Sequence, residues 1–319
     1  MTGDTPRPRA VVSVVAEPDR YGAVKGALSA LGPDLPARLA AAKKVLIKPN
    51  FVSCRHPASA THVDASRAVL EYIMPHVRGE VVIAEGPALG EADEGFDAYG
   101  YRALAAEFGA TLVDLNAAAT TTLEVFDEEF RPLAVRVARP VLESDFRIAV
   151  GPPKTHDAVI VTLSIKNMVM GAVVRTGEAM ADGDDKWAMH QDYAAMNVNL
   201  FLVAREVWPH LGVVDGHVAM EGDGPIYGTP VPWGFAAASL DALALDYVAC
   251  KMMGVEPSRV GYLYYAARAG LGAFAEGDIE TAGGGDPAAL TRTLKLHSTA
   301  RAQLEWRVGE EQLARLAVL

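Results

Sequence analysis

Three lysines follow apolar runs instead of lying on a polar helix face: Lys48 ends VLIK, Lys154 follows IAVGPP, and Lys166 follows VIVTLSI. Functional groups collect where buried strands give way to loops. In a chain of net charge −11, three such lysines point to a local cationic pocket for a carboxylate or phosphate. The plainer alternative is that each lysine begins a loop. His156, two residues beyond Lys154, titrates near neutral pH and suits a general acid or base. Glu85 ends VVIAE ahead of Gly86-Pro87, where it could be a general base, a metal ligand or a loop cap. A lysine buried beside other cations has a lowered pKa, so Lys154 and Lys166 join His156 and Glu85 as catalytic candidates.

Other residues could bind the substrate. Lys48, Asn50, Asn167 and Gly224 lie in the same strand-end segments. Lys186 and His190 are four apart and share a face if that segment is helical. They close the Gly-rich, acidic stretch 172–190, which could be a lid or an ordinary surface loop. Asp215, Glu221 and Asp223, in VVDGHVAMEGDGPIYG, would suit a hard divalent cation such as magnesium or calcium. Their spacing is not that of an EF-hand, and a solvated Gly-Pro turn would read the same way. His62 and Asp64 lie near an expected helix start, where an anion could bind or Asp64 could simply complement the dipole. His56 reads as a loop histidine, and with Cys54 it makes a poor nucleophile pair.

These groups need elements to carry them. AVVSVVA (10–16) is expected as a strand, and 21–31 and 36–43 as helices. VLIKPNF is a strand stopped by Pro49. Thr61 is expected to cap a helix running to about Met74. VVIAEGP is the next strand, 88–98 a mobile surface loop, 99–109 a helix stopped at Gly109, and TLVDLN another strand. Residues 120–139 alternate around FDEEFRP and predict a hairpin. A central strand then leads to Gly151, and the β-branched run 158–165 is expected as a strand ending at Lys166 and Asn167. Beyond it come a helix at 192–208, a strand and helix over 235–255 capped by Asp241, a helix at 257–270, a strand at 291–297 and a final helix from about 300.

The alternation predicts an α/β fold: a mostly parallel sheet with helices on both faces, plus a β-hairpin insertion. Two lobes are expected. Residues 1–140 form one, with the hairpin at 120–139, and 141–319 the other, carrying the KTH, IKN and EGDGP segments; one compact domain is the alternative.

Composition narrows the function classes. No basic cluster stands out, so nucleic acid is not an expected partner. No uninterrupted apolar run is long enough to span a membrane, and MTGDTPRPRA lacks a secretory h-region, so a cytoplasmic location is expected. Two cysteines, Cys54 and Cys250, cannot by themselves hold an iron–sulfur cluster or a four-cysteine zinc site. Neither G-x-G-x-x-G after the first strand nor a P-loop occurs.

VLIKPNFV, VVIAEGP, the Gly-Tyr of DAYGYRALA, VGPPKTHDAVIVTLSIKNMVMG, and VVDGHVAMEGDGPIYGTP with the following DALALD resemble, in order, the bacterial and archaeal "domain of unknown function 362" proteins over about residues 45–250. The resemblance implies an α/β fold and a shared site including Lys48, Asn50, Glu85, Lys154, His156, Lys166, Asn167, Asp215, Glu221 and Gly224. Many relatives carry a ferredoxin-like iron–sulfur module whose cysteines this chain lacks. The expected function is acid/base chemistry, of isomerase, lyase or cyclase type, on a small anionic metabolite, with or without a divalent metal. The alternatives are an accessory protein that binds a metabolite or metal, and an electron-transfer-linked protein.

Overall fold

Short apolar runs such as KVLIK and FRIAVG have side chains that must be buried on both faces, and such runs form the inner strands of a covered sheet. The computed structural model describes residues 9–316 and 318, except 182; the N-terminal octapeptide and Asp182 of the acidic run lie outside the described residues. The strands are β1 (Ala10–Ala16), β2 (Lys44–Lys48), β3 (Glu80–Glu85), β4 (Thr111–Asp114), β5 (Thr120–Phe126), β6 (Pro132–Ala138), β7 (Phe146–Gly151), β8 (Lys154–His156), β9 (Ile160–Thr162), β10 (Leu211–Glu221), β11 (Thr229–Ser239) and β12 (Ile279–Ala282). The helices are α1 (Arg20–Ser29), α2 (Asp34–Ala41), α3 (Val63–Ile73), α4 (Ala92–Ala98), α5 (Tyr101–Phe108), α6 (Arg139–Leu142), α7 (Ser164–Ala172), α8 (Asp185–Ala188), α9 (Tyr193–Val207), α10 (Ala242–Met252), α11 (Gly261–Arg268), α12 (Ala300–Gln303) and α13 (Glu310–Arg315).

The main sheet runs β12-β1-β11-β10-β7-β2-β3-β4, with β8 and β9 attached beside β10. From β10 through β7, β2 and β3 to β4 every pairing is parallel, while β11 runs antiparallel to both β10 and β1. Successive side chains alternate between the faces. Val45, Ile47, Ile148 and Val150 pack with α1, α2, α3 and α5, whereas Leu46, Ala149 and Val214 pack with α7, α9, α10 and α11. The fold is therefore α/β, a mostly parallel mixed sheet with helices on both faces, and β5–β6 forms a separate hairpin. Strands from both sides of residue 140 share the main sheet, and β7 lies between β2 and β10. Among the described residues no helix is long and apolar enough to cross a membrane.

Parallel pairing puts Lys48, Glu85 and Gly151, the last residues of β2, β3 and β7, at one edge. In open α/β sheets that carboxyl edge is where ligands bind.

Several local expectations are corrected. Residues 92–98 are helical, because Ala92 and Phe96 turn one face into the core. The strand expected at 291–297 is absent, and the edge strand is β12 beside β1. Thr61 does not cap α3; the ring of His62 accepts the Asp64 amide at 3.2 Å.

The largest departure is at 158–165, where only 160–162 are extended and α7 begins at Ser164. Its N-cap, Leu163, has no side-chain acceptor to offer. Asp246 of α10 takes that role, accepting the Ser164 and Ile165 amides at 3.0 Å each and the Ser164 hydroxyl. A carboxylate from another helix thus satisfies the orphan donors and overrides the β-branched propensity. Asp246→Ala is expected to cost about 1–3 kcal/mol in urea denaturation, from amides left buried and unsatisfied. Because Lys166 sits in the first turn of α7, the same variant should also weaken whatever binds there.

Candidate functional site

Lys48 leaves the end of β2 and passes Gly171 of α7, where a Cβ would lie 1.5 Å from Lys48 Cε. Its Nζ donates to both Glu85 carboxylate oxygens at 2.9 Å, to Pro49 O at 2.8 Å and to Asn167 Oδ1 at 2.9 Å. Glu85 also accepts the Gly86 and Phe51 amides at 2.9 and 3.1 Å. Asn167 Oδ1 takes a second donor, Asn50 Nδ2, at 3.0 Å. Asn50 Oδ1 accepts Lys154 Nζ, which also reaches Ser59 O at 2.7 Å. The Thr61 hydroxyl, instead of capping a helix, accepts the Asn50 amide at 2.8 Å and donates to Val150 O at 2.9 Å.

Glu85, Lys48, Asn167, Asn50 and Lys154 thus form one continuous buried chain of hydrogen bonds. Burial lowers the Lys48 pKa even against the Glu85 carboxylate. It pushes Lys154 well below the ordinary lysine range, assisted by the charges of Lys166 and Lys48.

This chain backs a cavity of about 520 Å³. Lys166 lines the cavity, is 4% exposed, and donates to no protein acceptor among the described residues. Burial brings its pKa down to about 8, with Lys48 lowering it further and Asp157 opposing.

Two histidines share the wall, their rings 6.2 Å apart and 25° from parallel. Burial and the Lys166 charge lower His156 to about 3 and His190 to about 4, so both are neutral at pH 7. His190 Nδ1 lies 2.6 Å from Lys186 O, and a carbonyl only accepts, so Nδ1 carries the proton and Nε2 is a free acceptor. His156 Nδ1 accepts the Ala158 amide at 3.0 Å, which places its proton on Nε2. The Asp157 carboxylate, 2.9 Å from the same Nδ1, would favour the opposite tautomer. The amide decides, because backbone fixes it whereas the Asp157 side chain is half-exposed. Lys186 is fastened to the far end of α7 through Met170 O and Val173 O, and burial brings it to about 7. Its neighbour Asp185 holds Arg136 of β6 at 2.8 Å.

Lys48, Asn50, Glu85, His156, Lys166, Asn167, Lys186, His190, Asp223 and Gly224 all line this cavity. A Cβ on Gly224 would fall 2.2 Å from Thr155 O, so the loop closes here only without a side chain. Lys154 lies behind the wall. Of the three lysines, Lys48 and Lys154 are held by protein acceptors, and Lys166 faces the cavity.

The proposed metal ligands do not converge. Asp215 lies within β10 and pairs with Arg20 at 3.0 Å; Glu221 accepts the Lys295 amide at 2.9 Å; Asp223 is 3.8 Å from His297 Nε2. Among the described residues no group of three or more His, Cys, Asp or Glu side chains is placed to hold a metal ion. His62 and Asp64 stay at the start of α3, outside the cavity lining. Cys54 is buried, its thiol pushed up to about 12 by burial, which removes it as a nucleophile. His56 packs edge-on to Tyr227.

Sequence reasoning missed Asp157 and Thr162. Thr162 is 4% exposed, lines the cavity, and its hydroxyl has no partner among the described residues. Its place in the strand preceding Lys166 was the available signal.

The chain is similar to known proteins. A thylakoid-associated protein of Synechocystis sp., sll1697, is 27% identical over 232 residues, 72% of this chain and 68% of its own. The lactate racemase apoprotein of Thermoanaerobacterium thermosaccharolyticum aligns with a TM-score of 0.45 and 13% identity over 78% of this chain. The chain spans 58% of that structure's length. Residues 45–251, more than half of the chain, match the family described as Domain of unknown function (DUF362), and the chain belongs to that family.

Proposed function

We propose that the cavity is the active site of an enzyme that moves a proton on a small carboxylate or phosphate metabolite, in an isomerase-, lyase- or cyclase-type reaction. The observation that carries this reading is Lys166: a buried ammonium, without a protein acceptor among the described residues, facing two neutral histidines of opposite tautomer. A buried cation that the half-exposed Asp157 carboxylate favours without pairing to it is unfavourable unless a ligand supplies a partner. An anion bound at Lys166 does so. It also cancels the charge that lowers both histidines, so His190 becomes a stronger base once substrate is bound. His190 Nε2 then abstracts the proton. His156 Nε2–H, a neutral donor, steadies the negative charge that develops on the substrate oxygen.

The pH dependence follows with a definite sign. Lys166 must be charged to bind the anion, so kcat/KM should fall as pH rises through about 8. His190 must be neutral, so kcat/KM should fall as pH drops through about 4. A bell between these limits is expected, and Lys166→Arg should move only the alkaline limb upward.

The test is exchange of substrate C–H hydrogens with D2O, followed by NMR across a panel of hydroxy acids, keto acids and phosphate monoesters. Exchange that disappears in His190→Gln is expected. Binding of panel members with no exchange and no turnover would make the protein a binder and overturn the enzymatic reading.

A further inference from the structure

Four large apolar side chains are exposed among the described residues: Val11 (37%), Met180 (62%), Trp187 (40%) and Tyr227 (72%). The last three line one cavity, although they come from segments some forty residues apart. Scattered exposed apolar residues need no explanation, but a contiguous set marks a binding surface. Inward from this mouth the wall continues through Leu89, Met170 and Ile226, each only partly buried. At the inner end is Lys166.

The cavity is thus polar at one end and apolar along its length. Its volume of about 520 Å³ is far more than a three-carbon acid requires. It falls within the roughly 300–1,000 Å³ of pockets that enclose drug-sized ligands.

We infer that the ligand is an amphipathic anion, its carboxylate or phosphate held by Lys166 and its apolar body lying along Met170, Leu89 and Ile226 to the Trp187–Tyr227 mouth. This rests on the reading of Lys166 as the anion site and adds the class of molecule attached to the anion.

The full-length protein would be titrated calorimetrically with inorganic phosphate and with straight-chain carboxylates from acetate to decanoate, Trp187 fluorescence serving as a second readout. Affinity is expected to rise about fourfold for each added CH2, since each buried methylene contributes about 0.8 kcal/mol. Trp187→Ser/Tyr227→Ser should flatten that dependence without removing acetate binding. Lys166→Met should bring octanoate down to the affinity of octanol. Equal affinity from acetate to decanoate, still dependent on Lys166, would overturn the amphipathic ligand and leave the anion site standing. Failure of phosphate and every carboxylate to bind in a Lys166-dependent way would overturn both. Sedimentation with phosphatidylglycerol vesicles, set against binding of the soluble carboxylates alone, tells a membrane lipid from a free metabolite as the source; either keeps the amphipathic assignment.

Discussion

Lys166→Met is expected to abolish turnover, weaken anion binding and make the folded protein more stable. Truncating one member of a buried charge pair costs about 2–5 kcal/mol of affinity, roughly thirty- to several-thousand-fold. Stability should move the other way because, among the described residues, the ammonium has no protein acceptor to lose. Holding it at about 8 in place of its ordinary 10.5 disfavours the charged form by roughly 3 kcal/mol at neutral pH. The sign follows from linkage. A lysine whose folded pKa lies below its unfolded value opposes folding at pH 7, and that opposition fades as pH rises from about 8 to 10.5. The gain in melting temperature of Lys166→Met over wild type should therefore be largest below pH 8 and vanish near pH 10.5. Urea or thermal melts across that range measure it. A variant less stable than wild type at pH 7 would show that Lys166 is held by the protein and is not waiting for a ligand.

The second large effect lies one layer deeper. Removing either Lys48 or Glu85 leaves the other charge buried at 0% or 2% exposure. Breaking such a pair by removing one partner costs about 3–5 kcal/mol, whereas replacing both with apolar residues of similar volume is often close to neutral. Lys48→Met and Glu85→Leu should each lower urea stability by that amount, and the double variant should lose far less than their sum. Near-additive losses would mean that the two side chains are not a unit. Because Asn167 Oδ1 accepts both Lys48 Nζ and Asn50 Nδ2, the single variants should also loosen the wall beneath Lys166.

The contrast between the two lysines shows how far local sequence reaches. Both follow apolar runs, and from the sequence they are alike. Lys48 ends a strand whose neighbour ends in Glu85, and that parallel pairing neutralises it. Lys166 sits on a helix whose start depends on Asp246, eighty-two positions away. The β-branched run before it reads locally as a strand, because the capping carboxylate arrives from another helix. Asp215, Glu221 and Asp223 lie close together in sequence, yet β10 and the turn after it aim them at Arg20, the Lys295 amide and His297.

Local sequence determines most of the strands and helices, the hairpin at 120–139 and the chemistry-bearing ends that line one edge of the sheet. Apolar periodicity and turn residues are local, and they dictate which way each element faces. Only the tertiary structure decided which cation is neutralised and which is open, which tautomer each histidine holds, and that an apolar mouth leads to Lys166. Those properties depend on distances of a few ångströms between residues far apart in the chain, and no local pattern encodes them.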